Sequence, residues 1–196
     1  MPRAAPSDTS VRILPLRQAL AVTGADRTSL MADLDRIFFE SSATRYFADD
    51  GERAAFRERW LGRYLSLFPN EAFVALGAGG AVGYLVGCLD SAGAAQLFAD
   101  IGYYARFETE YASYPAHLHV NVADGWRGAG IGGSLIEAFA GHCAAHSIKG
   151  LHAVTAQASQ AASFYAARGF NPVRLLQWQG RLLVLYGRSA AHKPVV

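Results

Sequence analysis

Apolar positions along the chain follow two rhythms, and the switches between them mark the elements. Val11 to Leu16 (VRILPL) is a short apolar run that reads as a strand, and Pro15, lacking an N–H for the ladder, puts it at a sheet edge. Arg27 to Ser41 carries Leu30, Leu34, Ile37 and Phe38 at helical spacing; Glu52 to Leu67 does the same with Phe56, Trp60, Tyr64 and Leu67, behind the capping candidates Asp49 and Asp50. Ala72 to Leu76 and Val82 to Leu89 flank the turn Gly77 to Gly80, which predicts an antiparallel hairpin. His117 to Val122 (HLHVNV) alternates with period two and reads as a strand, after which Ser134, Leu135, Ile136, Ala138 and Phe139 open a helical face. Lys149 to Ala156 (KGLHAVTA) reads as a buried strand, Gln160 to Arg168 as a short helix stopped at Gly169, and Val173 to Trp178 with Arg181 to Tyr186 as a terminal hairpin. Strands alternating with helices in this way place the chain in the α/β (α+β) class.

The connection from Asp90 to Pro115 breaks both rhythms. It is rich in rings (Phe98, Tyr103, Tyr104, Phe107, Tyr111 and Tyr114) and is expected to hold a helix. Long connections with structure of their own are commonly functional. As a lid it would offer Tyr103, Tyr104, Phe107 and Glu108 to a substrate, with Asp100 and Glu110 adding affinity for an amine. As a packing helix it would lay the rings on the core or on a second copy of the chain, so a homodimer stays open.

With 196 residues, 52% of them hydrophobic, one domain over residues 11–190 is expected, carrying the aromatic insertion at about 91–115. Residues 1–10 read as a disordered N-terminus and 191–196 as a tail. Neither a run of 18 or more apolar residues nor the apolar block of a signal peptide is present, so a cytoplasmic protein off the membrane is expected. Cys88 and Cys143 read as reduced thiols rather than a disulfide framework. The formal charge of +2 is uneven: no Asp or Glu follows Glu137, which suits an anionic ligand in the C-terminal half and a cationic or neutral one elsewhere. The charges are dispersed and only two lysines are present, which argues against nucleic acid. His142 and His146 stand four apart on a helix, as metal ligands can, but without a nearby acid they read as exposed helix residues and no metal is expected.

Chemistry concentrates between the HLHVNV strand and the helix after it. Arg127, Gly128, Ala129, Gly130, Ile131, Gly132 and Gly133 form a loop with four glycines in six positions. Missing β-carbons let a ligand approach the backbone, and the following helix begins with unpaired N–H groups, so the junction reads as a phosphate site. Gly128, Gly130 and Gly133 also satisfy GxGxxG, but a dinucleotide fold needs an acid roughly 20 residues on, and there is none. Arg127, Gly130 and Gly132 instead fit R/Q-x-x-G-x-G/A, and Tyr165 to Phe170 (YAARGF) fits YxxxGF. In both the sequence resembles the GCN5-related N-acetyltransferase family.

That resemblance implies a mixed central sheet of about seven strands flanked by helices, with a splayed central strand, and acetyl-CoA as cofactor. It implies that loop amides from Arg127 to Gly133 hold the diphosphate, that Val120, Asn121 and Val122 bind the pantetheine arm and polarise the thioester, and that Tyr165 is the general acid. The family's asparagine, seven residues before the signature tyrosine, is Ala158 here, which leaves Gln157 or Ser159 to take its place. The general base is open between His119 and His117, which share a strand face; either is neutral near pH 7, and a structural role is the alternative. The paired histidines resemble those of arylalkylamine acetyltransferases, and also acetyltransferase-like domains in which they need not be catalytic. The function implied is acetyl-CoA-dependent transfer to a primary amine of a small molecule, by direct attack in a ternary complex. The alternatives are a catalytically silent acyl-CoA-binding module and a protein or peptide N-acetyltransferase.

Overall fold

The computed structural model describes residues 10–22 and 27–191. The expected disordered N-terminus and C-terminal tail, apart from Ser10 and Ala191, lie outside the described residues. Seven strands, β1 (Arg12–Pro15), β2 (Phe73–Gly77), β3 (Gly80–Cys88), β4 (Ala116–Val122), β5 (Gly150–Ala156), β6 (Asn171–Trp178) and β7 (Arg181–Ser189), form one sheet in the order β1-β2-β3-β4-β5-β7-β6. Pro15 lies on the edge strand, where its missing N–H costs no ladder bond.

Neighbouring strands run antiparallel except β4 and β5, which run parallel and pair only at Ala116 with Leu151 and His117 with His152. Beyond His117 and His152 each keeps its outer partner: β4 follows β3 as far as Val122 opposite Gly83, and β5 follows β7 as far as Ala156 opposite Leu183. Both strands are therefore held while their facing edges separate. This is the splayed strand that the family resemblance implied.

Helices cover both faces. α1 (Leu16–Val22), α2 (Arg27–Ser41), α3 (Asp50–Arg57) and α4 (Arg63–Leu67) lie on the first, α5 (Ile131–Ala145) and α6 (Gln160–Ala166) on the second. α2 buries Leu30, Leu34, Ile37 and Phe38, one stripe of the 3.6-residue period. At about 2 kcal/mol for each large apolar side chain, such a stripe outweighs any intrinsic helix preference. α5 buries Leu135, Ile136 and Phe139 against the other face.

Three features depart from the sequence expectations. Leu16–Val22 is helical although the apolar run there read only as the end of a strand. The helix expected over Glu52 to Leu67 begins as read, with the Asp49 side chain accepting from the Glu52 N–H, but Glu58–Gly62 is a π-turn in which the Arg63 N–H reaches the Glu58 carbonyl. The extra residue rotates the following turn, so Tyr64 is buried while Leu67, expected on the same stripe, is 54% exposed. The connection holds no α-helix; Ala95–Phe98 and Tyr104–Glu110 are 3₁₀ segments. Phe98, Ile101, Tyr104 and Phe107 stand three apart and all are buried, because side chains at i and i+3 eclipse in the tighter winding. Of the two readings of this segment, its rings pack on the core.

Candidate active site

Two cavities lie on opposite faces of the sheet beside the split between β4 and β5. On the α5 side lies a groove of about 690 Å³, walled by Val120, Asn121 and Val122 from β4, Thr155 from β5, the loop glycines, and Phe164, Tyr165 and Arg168. On the α4 side lies a space of about 30 Å³ among Trp60, Tyr64, Tyr103, Tyr104, Phe107, Tyr111 and the imidazoles of His117, His119 and His152. Strand alternation separates them: Leu118, Val120 and Val122 join the α5 face, whereas His117 and His119 meet Tyr64 and Asn121 donates to the Tyr84 hydroxyl on the other.

The groove's floor is the start of α5. Gly130 is its N-cap, at φ 82°, and no side chain caps the helix. Ser134 makes the first helical bond, to the Gly130 carbonyl, so the N–H groups of Ile131, Gly132 and Gly133 are left for a ligand, with the positive end of the helix dipole behind them. A β-carbon on Gly130 would meet nothing within 4 Å. The loop's ends behave differently. The Arg127 N–H bonds the Asp124 carbonyl, and its guanidinium is spent on Asp124, the Val122 carbonyl and Ser41. The Ala129 N–H reaches the Trp126 carbonyl at 3.5 Å, and Ala129 is not among the groove's walls. The open floor and unpaired amides thus gather at Gly128 and Gly130 to Gly133, with Arg127 also lining the groove.

Arg168, which the sequence reading passed over, supplies a cation: its guanidinium lies 2.9 Å from where a β-carbon on Gly133 would stand and 5.9 Å from the Phe164 ring centre. Its place in the YAARGF segment, next to a loop rich in unpaired amides, was the available signal. Ser159, expected to stand in for the absent asparagine, lines the groove, but its hydroxyl caps α6 by accepting from Ala162 and donates to the Ala156 carbonyl. That hydroxyl is committed, and Gln157 is exposed.

Tyr165 is held from several directions. The N–H groups of Arg168 and Phe170 both bond its carbonyl as the chain turns through Gly169, and its ring packs against Phe164 and Phe170 at centroid distances of 5.4 and 5.3 Å. It is 6% exposed and lines the groove. Burial raises its phenol above the ordinary value, so the hydroxyl keeps its proton through neutral and mildly alkaline pH.

The second cavity is a polar network in an aromatic shell. The Tyr64 hydroxyl lies 3.0 Å from His117 Nε2 and 3.1 Å from His119 Nε2, and its single proton serves one of them while the other donates to it. His117 Nδ1 is 2.8 Å from the Ser91 hydroxyl and 3.4 Å from that of Tyr104. Both ring nitrogens of His117 are therefore engaged, whereas His119 is tied through Nε2 alone. Burial pulls His119 down to about 4 and His117 well below its usual value, with His152 and His119 adding like charge to the latter. His152, also pulled to about 4 by burial, holds the Tyr114 carbonyl at 2.6 Å and stacks on Tyr111.

Tyr64, Ser91 and His152 were missed because a tyrosine in a helical stripe and a histidine in an apolar strand read as core. Of the expected substrate residues, Tyr104 and Phe107 are buried in the cavity wall, Tyr103 is half-buried on it, and Glu108 is exposed and lies off it. His142 and His146 have ring centres 4.3 Å apart, and among the described residues no group of three or more His, Cys, Asp or Glu is arranged so that it could hold a metal ion. Cys88 and Cys143 are free and buried. No helix among the described residues is long and apolar enough to cross a membrane.

Comparison with known proteins agrees with this geometry. Residues 69–172, more than half of the chain, match the model of a family described as the acetyltransferase (GNAT) domain. Among solved structures, a protein called SsHAT is 25% identical, with a TM-score of 0.70 over 93% of this chain and 100% of that one. A polyamine N-acetyltransferase of Drosophila melanogaster that forms N-acetylagmatine is 17% identical, with a TM-score of 0.63 over 93% of this chain and 100% of that one. The NatC complex bound to Gag peptide and CoA is 12% identical, with a TM-score of 0.60 over 91% and 98%. At such identities these last two share the fold. No curated protein is matched.

Proposed function

Because the chain belongs to the acetyltransferase (GNAT) family, whose members use acetyl-CoA, we propose that it transfers the acetyl group to the primary amine of a small molecule, by direct attack in a ternary complex. The observation that carries this reading is the split beyond His117 and His152, with a groove that has a helix N-terminus at its floor on one face of the sheet and an imidazole-bearing cavity on the other.

The groove suits the cofactor: its floor is open where the glycines lack β-carbons, the amides of Ile131 to Gly133 point to an anion, and Arg168 stands beside them. When bound there, acetyl-CoA supplies the activated acetyl thioester. The free edge of β4 at Val120 and Val122, on either side of Asn121, would offer backbone donors to the pantetheine arm and the thioester carbonyl; one well-placed donor is worth about 3 kcal/mol of barrier. Tyr165 donates its proton to the departing thiolate. His119, rather than His117, takes the amine proton, because His119 has a ring nitrogen to spare. Held down near 4, it is unprotonated at neutral pH, and Tyr64 fixes the orientation of its ring.

Thiol release from acetyl-CoA over a panel of primary amines tests the reading. Amine-dependent release is expected, and tight CoA binding with no release for any amine would remove the enzyme assignment. The cradle has its own test. Gly130→Asp puts a carboxylate beside the diphosphate and is expected to weaken CoA binding at least about tenfold, roughly 1.4 kcal/mol, by calorimetry. Gly130→Asn carries the same bulk and left-handed strain without the charge, so the difference between the two isolates electrostatics. Equal binding by both variants and the parent places the phosphates elsewhere.

A further inference from the structure

We propose that the ion pair of the buried Arg188 with Glu137 is a positioning device for the reaction, fixing Tyr165 relative to the cofactor's anchor on α5. This rests on the acetyl-transfer reading with Tyr165 as the acid, and it adds two residues that do not line the groove.

Arg188 lies on β7, in line with Val184 and Tyr186 on the face that α5 and α6 cover, and its side chain is 1% exposed. Its Nη1 donates to Glu137 Oε1 at 2.6 Å and to the Arg168 carbonyl at 3.1 Å, and Nη2 reaches Glu137 Oε2 at 3.5 Å. The guanidinium also stands 5.2 Å from the Phe170 ring centre. Arg168 and Phe170 are the two residues whose N–H groups hold the Tyr165 carbonyl, and the Phe170 ring packs on that of Tyr165. One guanidinium thus grips the turn behind the phenol by its main chain and by its ring. The other end of the grip is α5. Glu137 stands one turn after Gly133, against which the Arg168 side chain lies. Arg168 is therefore docked on one face of α5 at two points, its side chain at Gly133 and its carbonyl, through Arg188, at Glu137. Because the first turn of α5 carries the unpaired amides, the pair joins the phenol to the anion cradle by a short path of packed groups.

Stability does not account for the arrangement. Desolvation of a buried ion pair can exceed its attraction, and apolar replacement of both partners is often neutral or stabilising. Here the cost is incompletely offset, because Arg188 Nε is buried with no hydrogen-bond partner among the described residues. What an apolar pair cannot reproduce is direction, since a planar fork holds a carboxylate and a carbonyl at set angles. Proton transfer to a thiolate depends on such placement, and a displacement of about 1 Å can cost about 10²-fold in rate.

The test compares two variants of the full chain with the parent, at saturating acetyl-CoA and with the fastest amine of the panel. Arg188→Lys keeps the charge but loses the fork, and Arg188→Met with Glu137→Leu replaces the pair by apolar side chains. Both are expected to lower kcat at least about tenfold while CoA affinity, by calorimetry, stays within about threefold. Rates are taken well below each melting temperature, which the apolar pair is expected to leave unchanged or raise. In a Tyr165→Phe background the apolar pair is expected to cost less than about twofold more, because an acid already removed cannot be misplaced. Unchanged kcat in either variant, a loss confined to CoA affinity, an apolar pair that fails to fold, or a full additional loss in the Tyr165→Phe background overturns the proposal. Those outcomes leave acetyl transfer standing. A parent that releases no thiol with any amine removes the acetyl-transfer reading itself, and the proposal with it.

Discussion

Tyr165→Phe is expected to lower kcat by roughly 10²-fold or more while CoA binding and melting temperature stay nearly unchanged. The substitution removes one oxygen from a ring whose position other contacts fix: the carbonyl accepting from Arg168 and Phe170, and the packing of Phe164 and Phe170. A tyrosine that served the core through its hydroxyl would hold a buried acceptor, and losing that bond would cost about 1 kcal/mol of stability. Desolvation alone shifts this phenol, with no hydrogen bond contributing, and the ring opens on the groove. Its proton therefore remains in place at the pH of turnover and is available to a leaving thiolate, for which a positioned acid is worth about 10²-fold to 10⁴-fold. Measuring kcat and melting temperature on the same variant separates the roles. A destabilised but fully active Tyr165→Phe takes the tyrosine out of the mechanism.

What the sequence showed and what it hid follow from the range of the interactions concerned. The Asp49 cap, the Leu30 to Phe38 stripe and the glycines before α5 are local, because each depends on residues within a turn or two, and each stands where the pattern put it. The strands HLHVNV and KGLHAVTA were legible singly. That their pairing stops after His117 and His152 was not, since register between strands joined by a helix is set by packing of the whole sheet. His152 was lost with it: alone it is a histidine in an apolar strand, and only the register brings it within 5.8 Å of His117, ring centre to ring centre. The 3₁₀ winding of the connection did leave a trace, the three-residue spacing of Phe98, Ile101, Tyr104 and Phe107, which a search for 3.6-residue periodicity passes over. Ser159 shows the converse limit, because a hydroxyl at a helix start serves as a cap before it serves a ligand.

The same buried imidazoles predict how the fold responds to acid. His119 and His152 lie near 4 in the folded chain and His117 is pulled well below its usual value, against about 6.5 in an unfolded one. Where the folded value is depressed, the unfolded chain takes up protons that the folded one refuses. Stability is therefore level above about pH 7 and falls as pH drops from about 6.5 toward 4. At pH 5, about 1.5 units below the unfolded value, His119 and His152 each forfeit roughly 2 kcal/mol and His117 adds to the fall, a sizeable part of the stability of an ordinary domain. The main carboxylate contribution falls in another window: Asp100, held down to about 2 chiefly by its bonds to Arg63 and also by Arg59, loses its stabilising effect only below about pH 4. Urea unfolding at pH 7, 6 and 5 should show a progressive fall of several kcal/mol. His152→Asn, which retains a donor for the Tyr114 carbonyl, should reduce the slope between pH 6 and 5 by close to one proton. A flat profile over that range, or a slope indifferent to His152→Asn, would mean that the folded chain protonates these rings freely, and the assignment of neutral histidines to the cavity would fall with it.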